Sequence, residues 1–330
     1  MASEEALRIS ELTGEPMPGG REIEEEASGG MRARAVRSAL VVVPYVWLLA
    51  FFLLPFLIVL RIALSDLEYG APPYTPQFSL ADGWSVIWEK AQQLDFENFA
   101  FLASDSLYIN SYLSSLQIAF FSTILTLLLG FPLAYGMARA PSGIRPTLLM
   151  LVILPFWTSF LIRVYAWIGI LKQEGLLNQL LLWLGVIDTP LEILSTNKAV
   201  YIGIVYSYLP FMVLPIYSAL EKMDESLVEA ARDLGCTRIG AFWKVTARLA
   251  IPGILAGCLL VFIPAVGEFV IPDLLGGSST LMIGKTLWIE FFNNSDWTVA
   301  SAIAIVLLIV LVVPIVLFQN AQARAAEAGR

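Results

Sequence analysis

The chain has 330 residues, of which 58% are hydrophobic and 15% charged, and a mean hydropathy of +0.74. Soluble domains carry about 25% charged residues, so a membrane-embedded chain is expected. There is no histidine, which removes the commonest general base and metal ligand and weighs against an enzyme.

Within a tail at 1–36, residues 1–30 carry -6 of the formal charge of -8, with Glu4, Glu5, Glu11, Glu15, Glu22, Glu24, Glu25 and Glu26 against Arg8 and Arg21. With few bulky apolar residues and dense like charge, this stretch is expected to be a disordered cytosolic tail with a basic end. It does not read as a signal peptide, because the apolar run begins near Ala39 and is too long for a cleaved segment.

A helix needs about 20 apolar residues to cross a bilayer. Six windows qualify, at about 39–60, 111–138, 147–170, 199–220, 250–272 and 298–318, within a permease domain expected at 37–318. Residues 319–330 read as a second cytosolic tail. Lys and Arg concentrate in the two tails, in "RAPSGIR" and in residues 221–250, whereas the other three loops hold Arg61, Lys90, Lys172, Lys198 and Lys285. The positive-inside bias therefore places both termini in the cytosol. Pro132, Pro155, Pro210, Pro215, Pro264, Gly267 and Pro314 interrupt the spans, as either ordinary kinks or the broken helices of a transport path.

The outer loop at about 62–110 is long, acidic and aromatic, and reads as a lid or docking surface. In "KQEGLLNQLLLWLGVIDTPLEIL" a leucine-rich run too short to span suggests a helix on the outer surface or between spans, closed by a Gly-Val-Ile-Asp-Thr-Pro turn. The run "SSTLMIGKT" approaches a phosphate-binding loop, but Ser279 stands where the first glycine is needed, so no nucleotide site is expected. Cys236 falls in a loop and Cys258 in a span, so free thiols are expected rather than a disulfide.

The least membrane-like part of the second half is "SLVEAARDLGCTRIGAFWKV", Ser226 to Val245. Ser226 and Glu229 stand at the spacing of a capping box, Gly235 is placed to end the helix in the left-handed conformation, and Thr237 can cap a second helix. Leu227, Ala230, Ala231 and Leu234 share one face, which either packs under the bundle or docks a cytosolic partner.

The run "EAARDLG" resembles the signature loop of ABC importer permeases, with Glu229, Ala230, Ala231 and Gly235 at the matching positions. The loop's later Leu and Pro fall on Ala247 and Arg248, a departure that bears on the entry to the fifth span. "PFWTSFLIRVYAWIGIL", "LLWLGVIDTPLEIL", "AVYIGIVYSYLPFMVLPIYSALEKMD" and "GCLLVFIPAVGEFVIPDLLGG" extend the resemblance over about residues 37–318, to the putrescine and spermidine importer permeases and most closely the putrescine type. The resemblance implies an all-α, polytopic type I importer fold in a bacterial inner membrane. It also implies a homologous second permease subunit, two copies of a cytosolic ABC ATPase that bind the ATP and Mg, and a periplasmic polyamine-binding protein. No cofactor in this chain and no nucleic-acid partner are expected. Ser226, Glu229, Ala230, Ala231 and Gly235 would form the ATPase-coupling helix.

A polyamine path should offer carboxylates and aromatic faces to ammonium groups. Ionisable residues within spans are candidates by default. Glu268, with Asp273 beyond it, reads either as an amine acceptor or as half of a structural ion pair with Arg163. Arg163 suits pairing or gating. Trp157, Tyr165, Trp167, Tyr206, Tyr208 and Phe269 are candidate cation-binding faces or simple packing. Glu290 and Asp296, in "TLWIEFFNNSDW", read as surface for a binding protein or gate. A permease for another small solute, a gradient-driven secondary transporter and a membrane enzyme are the alternatives weighed.

Overall fold

The computed structural model describes residues 40–328 apart from Leu80 and Ser279. The acidic tail at 1–36, and the Ser279 position of the near-miss phosphate loop, lie outside the described residues. The chain divides into two compact units, Met1–Arg61 and Ile62–Arg330. The described part of the first is most of helix α1, Leu40–Ala63, a 24-residue helix of mean hydropathy 2.5 that ends just past the boundary. Pro55 has no amide to donate, and just before it the helix widens into a π turn, Leu49–Leu53, closed by the Leu54 amide on the Leu49 carbonyl.

The second unit starts with a short antiparallel hairpin, β1 (Asp66–Leu67) and β2 (Tyr74–Thr75), in which Asp66 faces Thr75. Helices α2 (Trp84–Ala91) and α3 (Glu97–Ser104) follow. Lys90 bonds Asp82 at 2.7 Å and the Gln77 carbonyl at 2.6 Å. The Asn98 amide group ties α3 to the carbonyls of Ala63 and Ser65 at 3.0 and 2.9 Å. The outer loop is thus built structure, with its own bonds.

The helices after it are α4 (Ser106–Arg139), α5 (Arg145–Ile153), α6 (Phe160–Leu171), α7 (Leu176–Trp183) and α8 (Asn197–Glu221). Then come α9 (Ser226–Asp233), α10 (Arg238–Leu249), α11 (Ile251–Val266), α12 (Val270–Leu274), α13 (Ile283–Trp288) and α14 (Trp297–Ala328). Among the described residues, α1, α4 and α8 are each long and apolar enough to cross a membrane. Two bent pairs reach that length together, and the apolar part of α14, Trp297–Val313, is shorter.

Breaks fall inside the windows expected at 147–170 and 250–272, at Pro155 and after Pro264, among the interruptions read from the sequence. Arg145–Trp157 and Phe160–Trp183 meet at 91°. Around Pro155 the chain tightens into a 3-10 turn, Leu154–Trp157, and Thr158 turns extended while its hydroxyl donates to the Pro155 carbonyl at 2.8 Å. The α11 helix stops at Gly267, three residues after Pro264, and restarts as α12. At the other end α14 runs on to Ala328.

Helices α4, α8 and α11 pack against one another around Met212, Val213, Ile216 and Val261. Gly253 and Gly257, four residues apart, let α11 approach α8 backbone to backbone. A Cβ on Gly253 would lie 2.6 Å from the Pro215 carbonyl, and one on Gly257 2.8 Å from the Met212 sulfur. Serines on α4 hold α13: the Ile283 amide donates to Ser115 at 2.7 Å, and the Thr286 hydroxyl to Ser111 at 3.2 Å. Apolar burial alone would leave the helices free to slide, and these bonds fix their register.

Candidate functional site

The first candidate is the α9–α10 hairpin. Its start differs from the expected capping box, because Glu225 already has helical dihedrals and Ser226 is inside the first turn. The Ser226 amide is therefore a donor that needs an acceptor, and Asp224 supplies it at 2.9 Å. That bond holds the Asp224 carboxyl below its ordinary value of 3.8. Asp224 was legible as a helix-start residue, but Ser226 satisfied the same rule two positions later.

The other end is as expected. Gly235 has φ +87°, the Cys236 amide reaches the Ala231 carbonyl at 3.1 Å, and the Gly235 amide reaches that of Arg232 at 2.9 Å. This is the paired termination that a left-handed residue permits. Thr237 accepts from the Gly240 amide at 3.1 Å and starts α10.

Ala231 is half-buried, but Leu227, Ala230 and Leu234 are exposed, Leu234 by 87%. A polar cleft of about 570 Å³ lies beside them, lined by Glu229, Arg232, Asp233, Cys236, Thr237 and Arg238. The hairpin is fastened to the bundle by an Arg139–Glu225 ion pair and by Phe242, edge-on to Phe131 at 5.8 Å and Tyr135 at 5.5 Å. At Arg248, where the sequence departs from the importer pattern, α10 nears its end, and α11 leaves it at 60° with Pro252 in its first turn.

The second candidate is the break between α11 and α12. Glu268 is 8% exposed. One oxygen accepts from the Tyr208 hydroxyl of α8, and the other from the amides of Val270 at 3.0 Å and Ile271 at 3.4 Å. The carboxylate thus restarts the helix that Gly267 ended. The ion pair with Arg163, one of the two readings of Glu268, does not form: the Arg163 guanidinium lies over Phe156 at 5.1 Å and Phe160 at 5.7 Å, and its Nε has no partner. A run of ring contacts leads from Arg163 to Tyr208. Phe156 is edge-on to Phe211 at 5.2 Å, and Phe211 packs against Tyr208 at 6.1 Å.

Asp273 does not join Glu268 but pairs with Lys285 at 3.5 Å, the lysine of the near-miss phosphate loop. Tyr206 packs edge-on to Trp167 at 5.3 Å, Phe269 stacks on Trp288 at 4.6 Å, and Trp157 is 71% exposed. Of the aromatic candidates, Tyr208 alone touches Glu268 through a hydrogen bond. Phe156 and Phe211 were missed, although Phe211 follows Tyr208 at helical i+3 spacing. Glu290 is buried rather than a surface group, and Asp296 is half-buried. Glu290 accepts from Tyr108 at 2.9 Å and Asn294 at 2.8 Å, while Asp296 accepts from the Thr298 hydroxyl at 2.8 Å and the Val299 amide at 2.9 Å, opening α14.

Every donor to Glu268 is neutral, and no Lys or Arg pairs with it among the described residues. A buried carboxylate without a cation is costly. Its surroundings, a hydroxyl and aromatic faces, are those that accept an ammonium group.

What kind of protein carries these features is decided by comparison with known proteins. Residues 31–326 match the binding-protein-dependent transport system inner membrane component family. The chain belongs to that family. It is accordingly a polytopic helical membrane protein of a transport system and not an enzyme.

The spermidine/putrescine transport system permease protein PotB of Salmonella typhimurium is 47% identical over 225 residues, covering 68% of this chain and 78% of PotB. The Haemophilus influenzae protein of the same name is 40% identical over 281 residues, covering 85% and 92%. A solved bacterial alginate ABC transporter, in complex with its alginate pentasaccharide-bound periplasmic protein, shares the fold. Its TM-score is 0.65 at 18% identity, over 90% of this chain and 97% of that one.

Proposed function

We propose that this chain is the membrane subunit of an ATP-driven importer for polyamines, with Glu268 as an ammonium acceptor on the path. The observation that carries the reading is the Glu268–Tyr208 pair, a buried carboxylate bonded only by neutral groups and flanked by Phe211 and Phe156. A polyamine brings the missing cation. Arg163 packs on Phe156 and Phe160 and forms no ion pair with Glu268, so it does not neutralise the acceptor. The names of the PotB relatives support the substrate class. A diamine of putrescine size is the preferred substrate in this reading.

In the same proposal six segments span the membrane, counting each bent pair and α14 as one, and both termini are cytosolic. A homologous permease completes the path, and a periplasmic binding protein delivers substrate. Two copies of an ATPase hold the ATP and Mg. Ser226, Glu229, Ala230, Ala231 and Gly235 form the element that docks the ATPase, supported by the exposed Leu227, Ala230 and Leu234. To couple, that element must bias inward- and outward-facing states differently, and the Gly235 termination and Thr237 cap suit a stiff lever.

The test is uptake in proteoliposomes carrying the chain with its partner subunits and binding protein, with putrescine, spermidine and unrelated cations competing. ATP-dependent putrescine uptake is expected. Gradient-driven uptake by this chain alone, or competition by unrelated solutes only, overturns the reading.

A further inference from the structure

A second cavity, of about 360 Å³, lies between α4, α10 and α11, away from Glu268. Leu128, Phe131 and Pro132 of α4, Phe242 and Trp243 of α10, and Ile254 of α11 line it, and every lining side chain is apolar. Its size falls in the roughly 300–1,000 Å³ range of small-molecule pockets. The π turn Phe242–Thr246 shapes its α10 wall, and Trp243 stands 68% exposed at its edge.

Two basic residues of α10 lie next in sequence to residues that line this groove. Lys244 and Arg248 follow the lining residues Trp243 and Ala247 on the neighbouring stripe of α10, and both are exposed. Neither has an ion-pair or hydrogen-bond partner among the described residues. Two cations four residues apart repel each other, an arrangement that becomes favourable once an anion lies between them. Arg248 is also the residue that departs from the importer pattern, and the coupling hairpin gives it no role.

Depth decides what kind of anion. α4 rises about 1.5 Å per residue, which puts Pro132 and Leu128 roughly 10–16 Å from the helix end at Arg139. A single leaflet's hydrocarbon is about 15 Å thick. A tryptophan lining such a groove and two cations next to it along α10 match the membrane interface, where Trp anchors and basic side chains reach headgroups.

We propose that the groove holds one acyl chain of an anionic phospholipid of the cytosolic leaflet, with the lipid phosphate between Lys244 and Arg248. The site lies where α10 turns into α11, so a bound lipid would brace the joint between the coupling hairpin and the bundle. This inference rests on the cytosolic orientation proposed above.

The test uses the complex with its partner subunits, reconstituted in bilayers of phosphatidylcholine doped with brominated phosphatidylglycerol or brominated phosphatidylcholine. The Trp243 signal is the difference between the wild-type protein and Trp243→Phe. Quenching of that signal is expected to favour phosphatidylglycerol by about 10- to 30-fold, given about one kcal/mol per basic residue at an anionic surface. The Lys244→Gln/Arg248→Gln pair should erase the preference while quenching persists. Equal quenching by both lipids in the wild-type complex overturns the proposal in favour of ordinary boundary lipid. No quenching by either overturns it in favour of a protein surface covering the groove. Because the readout needs no transport, a complex that imports no polyamine yet prefers phosphatidylglycerol sinks the importer reading alone.

Discussion

The Tyr208 hydroxyl donates to the Glu268 carboxylate across 60 residues of sequence, joining the middle of α8 to the break between α11 and α12. The bond places a charge-accepting oxygen at a helix break, where backbone and side chain can rearrange. It also separates two roles for one carboxylate: one oxygen holds the α12 amides, and the other faces α8.

Substituting each partner distinguishes those roles. Tyr208→Phe removes a hydrogen bond to a charged group, worth about 1.5–3 kcal/mol, and leaves the charge. Glu268→Gln removes the charge and keeps a carbonyl for the α12 amides. Polyamine uptake by the reconstituted complex should fall at least tenfold in Glu268→Gln and less in Tyr208→Phe, with subunit assembly intact in both. Disassembly of Glu268→Gln on size-exclusion chromatography, or its uptake at the wild-type rate, would rule out the acceptor role.

Glu268 was visible in the sequence because an ionisable residue in an apolar run is rare. Its partner was not, since a polar pattern names a group that needs compensation but not which of several aromatics or cations supplies it. Arg163 was the nearer guess by charge, but it packs on Phe156 and Phe160, ordinary apolar residues in sequence. The same limit explains Glu290. Its place beside aromatics suggested an outer surface, while Tyr108, far off in sequence, buries it. Local signals fared better: Gly235 and Thr237 end and start their helices as expected because termini are decided within a few residues. The breaks at Thr158 and Gly267 lay between those cases, flagged by proline and glycine but not fixed in angle.

Gly253 and Gly257 carry the contact between α11 and α8, so a side chain there should separate the helices. Gly257→Val is expected to destabilise by more than the 1–3 kcal/mol typical of overpacking, because the obstruction includes the Met212 backbone. Gly136→Ala is the control, since nothing lies within 4 Å of a Cβ at Gly136, and Ala is the better helix former by about 1 kcal/mol. Thermal midpoints of the detergent-solubilised protein should fall for the first and hold or rise for the second. An unchanged midpoint in Gly257→Val would mean that the close approach does not hold the bundle.

Gly235→Ala forces an ordinary residue to φ +87°, at roughly 1–2 kcal/mol. Nothing lies within 4 Å of the added methyl, so the effect is on the backbone alone. ATP-driven uptake should fall several-fold, with ATPase activity no longer stimulated by the loaded binding protein, and Gly235→Asn should recover part of the loss. Wild-type coupling in Gly235→Ala would show that the hairpin need not be stiff.

The start of the same helix carries a pH signature. Asp224 accepts from the Ser226 amide, which holds its carboxyl below 3.8. A depressed carboxyl contributes helix stability that is fully present above its ordinary value and lost as the pH falls through the lower, folded value. Between pH 5 and 8 the cap should therefore be constant. Protection of the Ser226–Glu229 amides, measured by hydrogen exchange and corrected for intrinsic rates, should stay level across that window. Asp224→Asn keeps an acceptor oxygen and should behave as the wild type does, while Asp224→Ala should lose protection several-fold at every pH. Protection that declines from pH 8 to 5 in the wild type but not in Asp224→Asn would mean that Asp224 titrates there, and that the Ser226 bond does not set its charge.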